Sequence, residues 1–328
     1  MNQAGFVVIA FMLTAYVLLD GYDLGVGTIS FFVGRTPRER AAVMESIGPF
    51  WNGNEVWLIA AGGALFALFP KAYASSFSGF YLPFIIVLWM LMIRGIAMEL
   101  RNHFKSELWY SFWDVGFSVS SGLLILLFGV ALGNLLRGVP LDKNEYFQGT
   151  FAFLLNPYSL LVGVFAVVAL AQHAAAFLAM RMEGPPAARS LAFLRRIWWA
   201  VLALDLGVSA GTYLVRGLPS SPWLFVVPVV SLGALVAMIP LLHRGRYGAA
   251  FGASSLFVAS LLVEAAGSLY PYLIPGYPLG SGGMTIFEAT PSPVSLTVAL
   301  TATIGGTILV VIYGAVATWA MAGKVRVE

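Results

Sequence analysis

Asp20 and Asp23 stand three residues apart inside an apolar run that extends from about residue 5 to residue 31. That spacing puts both carboxylates on one face of a helix. A second polar group follows. Asn52 and Glu55, again three apart, open the apolar run 48–70, Glu99 closes the run 76–99, and Asp114 opens the run 112–136. An ionisable group in a bilayer costs a few kcal/mol, so each needs a reason to be there. Neighbouring acids at the mouth of a helical bundle are what a proton intake requires, because each can hand a proton to the next over a short distance. The structural alternative stands beside this one. The acids could instead cap helix ends or pair with Arg94 and Arg101, and Gly21 with Gly25 forms a small-xxx-small pair that brings a second helix close.

These residues need a frame that holds them at one depth. Of 328 residues, 59% are hydrophobic and only 10% charged, with a mean hydropathy of +0.87. A soluble domain carries roughly 25% charged residues, and a water-soluble fold could not hide so much apolar surface. The surplus must face lipid. With about 20 residues as the spanning unit, spans fall near 5–31, 48–70, 76–99, 112–136, 157–182, 192–216, 222–242, 248–271 and 294–321. The runs are continuous rather than alternating, which favours helices over a barrel. Breakers lie between them: Pro140, the Gly184-Pro185-Pro186 turn, Pro219 with Pro222, and the Pro- and Gly-rich loop 271–293. The expectation is an all-α, polytopic membrane protein of about nine transmembrane helices, a single transmembrane domain over 1–328 without an internal repeat or appended soluble domain.

Orientation follows from the basic residues. Of the 18 lysines and arginines, 14 fall in one alternating set of connecting segments, and Lys71, Arg137, Lys143 and Arg216 fall in the other. The first set is expected to be cytoplasmic, which places the N-terminus outside and the C-terminus cytoplasmic. Asp20 and Asp23 then lie in the inner half of the first span, with Asp23 roughly 12 Å from its cytoplasmic end at 1.5 Å per residue. No Lys or Arg precedes the first apolar run, so it is expected to be a retained span rather than a cleaved signal. Trp51, Trp109, Trp113, Trp198, Trp199, Trp223 and Trp319 sit near span ends as interfacial anchors, whereas Trp57 and Trp89 are expected to pack inside.

Several classes of chemistry are excluded. The chain has no cysteine, so thiolate metal sites and disulfides fall away. A net charge of +3 is spread over short loops, with no basic domain to dock nucleic acid. Of the three histidines, only His173 is inside a span, and a lone one is expected to be a hydrogen-bonded core residue rather than a haem ligand. Asp205 in the sixth span and Glu264 in the eighth read as polar contacts within a bundle.

The acid-bearing segments also resemble a family. Leu19-Asp20-Gly21-Tyr22-Asp23-Leu24-Gly25-Val26-Gly27 is similar to the first-helix signature of subunit II of cytochrome bd-type quinol oxidases. Gly48-Pro49-Phe50-Trp51-Asn52-Gly53-Asn54-Glu55-Val56-Trp57, with Ala61-Gly62-Gly63 and Phe77-Ser78-Gly79-Phe80-Tyr81, resembles its second and third helices. Gly133-Asn134, Leu155-Asn156-Pro157-Tyr158 and Tyr270-Pro271-Tyr272 look like its outer loops, so the resemblance runs along nearly the whole chain.

The resemblance implies two four-helix bundles plus one peripheral helix, in a bacterial or archaeal cytoplasmic membrane. It implies a heterodimer with a haem-bearing subunit I, which holds two b-type haems and one d-type haem and oxidises quinol to reduce dioxygen to water. No haem is expected in this chain. A bound quinone and a small single-helix accessory subunit are compatible with the family. Its members bring protons through subunit II, and the matching positions are Asp20, Asp23 and Glu99. Some relatives carry an aspartate where this chain has Asn52 and a neutral residue where it has Glu55, so Glu55 is carried over as the displaced carboxylate and Asn52 as a hydrogen-bonding relay. Two other readings stay open. A proton-coupled transporter would use the same acids but would show inverted repeats and broken helices, and a purely structural subunit would use them for assembly alone.

Overall fold

The computed structural model describes residues 1–217, 221–321 and 323–327. Long apolar runs without water to bond their backbone must close hydrogen bonds internally, and helices account for most of the chain. In order they are α1 (Asn2–Val33), α2 (Pro37–Glu45), α3 (Trp51–Leu68), α4 (Pro70–Gly79), α5 (Tyr81–Leu100) and α6 (Glu107–Arg137). There follow α7 (Phe151–Leu154), α8 (Pro157–Arg181), α9 (Gly184–Arg216), α10 (Val226–His243), α11 (Tyr247–Leu269) and α12 (Pro293–Ala320). Among the described residues, seven helices are long and apolar enough to cross a membrane. The other two long ones are α3, which carries Asn52, Asn54 and Glu55 in its first turns, and α9, which carries Arg189, Arg195, Arg196 and Arg216 as well as Asp205.

The helices alternate in direction, so one end of the molecule collects the arginine-bearing connections and the other collects the long loops. α1, α3, α5 and α6 form one group and α8 to α11 a second, seamed where α8 lies along α1 and α6. α12 packs on α3 and the start of α1 and is otherwise exposed. The seam is tight because glycines remove the side chains that would hold it apart. A Cβ on Gly25 would lie 2.3 Å from the Leu170 carbonyl oxygen and 2.6 Å from Ala174 Cβ, and one on Gly21 would lie 3.1 Å from the Leu170 side chain. The small-residue pair of the first span is therefore a contact surface for α8.

Boundaries differ from the sequence expectation in instructive places. The run 76–99 is split: Pro70 starts the separate short helix α4, and the span proper begins at Tyr81. Gly184-Pro185-Pro186 is the first turn of α9 rather than a loop, since proline is preorganised for the start of a helix. Pro219 lies outside the described residues. The 271–293 loop contains a hairpin, β1 (Tyr272–Pro275) with β2 (Gly283–Thr285), so a small antiparallel ribbon interrupts the all-α pattern. Val139 braces it, donating to the Pro275 carbonyl at 2.9 Å and accepting from the Tyr277 amide at 2.9 Å.

At the arginine-rich end, α2 lies across the bundle and is fixed from both sides. Thr36 and Glu39 form a reciprocal capping box. Glu39 Oε1 meets Arg189 Nη2 of α9 at 2.7 Å. Asp114 accepts from Arg101 at 2.5 Å and from Arg40 at 2.7 Å, and Arg101 also donates to the Pro37 carbonyl at 2.8 Å. Two tryptophans depart from their expected roles. Trp198 is buried and donates to the Leu235 carbonyl at 2.9 Å, whereas Trp89 is 60% exposed on the outer face of α5.

Candidate functional site

Helix periodicity decides which polar groups of α1, α3 and α5 meet. On α3 the buried stripe is Asn54, Trp57, Ala61, Ala64 and Leu68, a spacing of three and four that turns one face toward α1. On α5 it is Val87, Arg94 and Ala97. On α1 the buried residues include Tyr16, Asp20 and Asp23. These three faces converge.

Asp20 is fully buried, and its Oδ1 accepts from Arg94 Nη2 at 2.7 Å, with Arg94 itself fully buried. Arg94 Nη1 reaches Glu55 Oε2 at 3.8 Å, and its guanidinium lies 5.8 Å from the Trp51 ring. Glu55 is the outward member, its side chain 20% exposed. One turn along α1, Asp23 Oδ2 accepts from Asn54 Nδ2 at 2.7 Å, and the same amide donates to the Tyr22 hydroxyl at 2.9 Å. An ion pair in so apolar a setting repays its desolvation only when geometry and extra hydrogen bonds are good; here the Arg94–Asp20 bond is short, while Asp20 Oδ2, Arg94 Nε and Arg94 Nη1 find no hydrogen-bond partner among the described residues. The arrangement is a charged cluster of three helices, open at Glu55 and closed at Asp20.

Three of the sequence candidates do not enter the cluster. Asn52 is exposed, on the side of α3 opposite Asn54, because two residues of helix turn the side chain through roughly 200°. The asparagine that meets Asp23 is Asn54. Glu99 is also exposed, five residues and roughly 140° around α5 from Arg94. Asp114 belongs to the Arg40–Arg101 clamp rather than to this site. Arg94 takes the pairing role that the structural alternative in the sequence gave it, and the signal that could have found Asn54 was present: an asparagine on the same helical stripe as Trp57.

His173 lies on the α8 side of α1. Its Nε2 is 3.1 Å from the Leu18 carbonyl and its Nδ1 3.0 Å from Ser254 Oγ, so Nε2–H donates to Leu18 and Nδ1 accepts from the serine. The ring stacks on Phe251 at 4.9 Å, and Tyr22 stacks on Phe177 at 4.3 Å. This aromatic group holds the Leu18–Asp23 turn of α1 from behind. Asp205 is buried in α9 and Glu264 is half-buried in α11, near enough to each other for their charges to interact. Among the described residues, no three His, Asp or Glu side chains converge as metal ligands do.

Outside the spans, Glu39 is the titratable group whose surroundings matter most. The hydrogen bond from Arg189, aided by the Arg35 and Thr36 amides, holds its carboxyl below the ordinary value of 4.5 against the opposing effect of burial.

Comparison with known proteins places this geometry in a context. Residues 1–321 match the family model described as cytochrome bd terminal oxidase subunit II. The chain is 32% identical over 355 aligned positions to the cytochrome bd-I ubiquinol oxidase subunit 2 of Escherichia coli K12, covering 97% of this chain and 93% of that protein. It is 29% identical to the cytochrome bd ubiquinol oxidase subunit 2 of Bacillus subtilis 168, covering 91% and 89%. Its fold matches a chain in the structure of bd oxidase from Geobacillus thermodenitrificans with a TM-score of 0.77, at 21% identity and over 95% and 96% of the two chains.

Proposed function

The chain belongs to the cytochrome bd terminal oxidase subunit II family, and we propose that within a quinol oxidase it carries protons rather than electrons. Its relatives are named cytochrome bd ubiquinol oxidase subunits, and the proposed reaction of the complex is quinol oxidation with reduction of dioxygen to water, electrons passing through haems. Two b-type haems and one d-type haem are assigned to the partner subunit I. The one histidine inside a span does not fit a haem. Both ring nitrogens of His173 are already engaged by Leu18 and Ser254, and His103 and His243 sit at helix ends.

Reduction of dioxygen to water consumes protons at a centre buried in the membrane, so the complex needs a polar route from bulk water. The Asp20–Arg94–Glu55 cluster with its Asp23–Asn54 neighbour supports that role, and it is the observation that carries the proposal. Glu55 takes protons from the arginine-rich end, which the positive-inside bias assigns to the cytoplasm in a nine-span topology. Arg94 fixes Asp20 and Glu55 in register, and Asn54 fixes Asp23. The proposed partner is subunit I in a heterodimer, a complex to which a small single-helix subunit and a bound quinone would also belong.

A structural role is the second reading, and the buried Arg94–Asp20 pair favours it, since such a pair can also fix helix register. One experiment separates the two. Asp23→Asn and Glu55→Gln leave the Arg94–Asp20 bond in place, and oxygen consumption is measured in the assembled complex. The proton reading expects turnover lowered about tenfold or more with the haem spectrum unchanged. Wild-type turnover in both variants refutes it, and failure to assemble with the haem-bearing subunit supports the structural role.

A further inference from the structure

Tyr16 stands one turn beyond Asp20 on the same face of α1, roughly 6 Å deeper into the bundle at 1.5 Å per residue. It is only 3% exposed, and its ring packs edge-on against Phe128 of α6 at 5.7 Å. Its hydroxyl lies beside Asp20, and no partner among the described residues meets it in full hydrogen-bond geometry. It is not alone in this. The Tyr16 hydroxyl, Asp20 Oδ2, Asp23 Oδ1, and Arg94 Nε and Nη1 are all buried with no hydrogen-bond partner among the described residues.

Five such atoms grouped around one ion pair are far from what a packed interior tolerates. Buried polar groups are almost always bonded, and an unbonded one costs about 1–3 kcal/mol. Donors are present on Arg94 and Tyr16 and acceptors on both aspartates, which is the mixture an ordered water needs for its two to four bonds. Further along this face of α1 come Met12 and Ile9, buried and apolar, so the polar lining stops at the tyrosine.

We propose that Tyr16, Asp20, Asp23 and Arg94 together bind a small cluster of ordered water, with Tyr16 as its innermost ligand and a positioning residue for the proton that crosses it. This rests on the proton-intake reading above and extends it to a group that no carboxylate pattern reveals. A proton passed along such a cluster leaves each oxygen with as many O–H bonds as it began with. The excess enters through Glu55 and leaves to the proton-consuming reduction of dioxygen. Tyr16 holds the last water in line with Asp20.

The test is Tyr16→Phe in the assembled oxidase, which removes one oxygen and keeps the ring against Phe128. Oxygen consumption is expected to fall several-fold with a larger solvent deuterium isotope effect, while subunit stoichiometry and haem absorbance stay unchanged. An electron-microscopy map of the wild-type complex is expected to show water density bonded to the Tyr16 hydroxyl and Asp20 Oδ2. Asp20→Asn is measured in parallel. Wild-type turnover and isotope effect in Tyr16→Phe beside an impaired Asp20→Asn overturns the role of Tyr16 alone, and wild-type behaviour in both overturns the intake reading as well. Loss of assembly in Tyr16→Phe, or a map with no water at its hydroxyl, also overturns the proposal.

Discussion

Asn54 Nδ2 lies 2.7 Å from Asp23 Oδ2 and 2.9 Å from the Tyr22 hydroxyl, while Asn52, two residues earlier, faces outward. α3 therefore meets the acids of α1 through an amide, and its own carboxylate, Glu55, stands to one side at the exposed margin. Asn54→Leu is expected to remove the donor, leave Asp23 without its bond and lower turnover. Asn52→Ala is expected to change neither turnover nor stability. Oxygen consumption of the two variants side by side is the check, and the reverse order of effects would show that α3 is rotated relative to this structure.

Arg94 and Asp20 answer to each other across α5 and α1 at 2.7 Å. Arg94→Met alone is expected to cost about 3–5 kcal/mol, because it strands a buried carboxylate. The pair Asp20→Asn with Arg94→Gln is expected to recover most of that stability, since no net charge is left uncompensated. It is not expected to recover turnover. Thermal unfolding of the detergent-solubilised complex reads the first effect and oxygen consumption the second. A double variant that regains both would assign the pair to structure alone.

Gly25 allows α8 to approach so closely that any side chain there meets the Leu170 carbonyl. Gly25→Ala is expected to destabilise by at least the 1–3 kcal/mol typical of an overpacked site, since the obstacle is backbone and cannot rotate away. Gly62, with nothing near its missing Cβ, is the control, and Gly62→Ala is expected to be neutral. Thermal unfolding decides between them.

Glu39 links pH to the docking of α2. Its carboxyl is held below the ordinary 4.5, first by the Arg189 hydrogen bond. A depressed folded value means the contribution is fully present above about pH 4.5 and is lost as pH falls through the lower, folded value. Hydrogen exchange of the α2 amides is expected to quicken as acid passes that window, and Glu39→Gln is expected to be quick at every pH. Equal protection of α2 in both proteins at neutral pH would show that the Arg189 pair does not hold the helix.

Much was legible in the chain itself. Composition forces a membrane protein, run length sets the size of its helices, and the three-residue spacing of Asp20 and Asp23 places both on one buried face. These follow from local rules, the cost of apolar surface in water and the period of the helix. What local rules leave open is rotation: Asn52, Asn54, Glu55 and Glu99 all lie near the right depth, and only the packing of α3 and α5 against α1 decides which of them face it. The same packing draws Arg94 inward from what reads as a basic helix end and leaves Tyr16, an ordinary aromatic in an apolar run, with its hydroxyl toward Asp20. Charge and spacing are written along the chain, but the partner of a buried charge lies on another helix, and only the tertiary structure selects it.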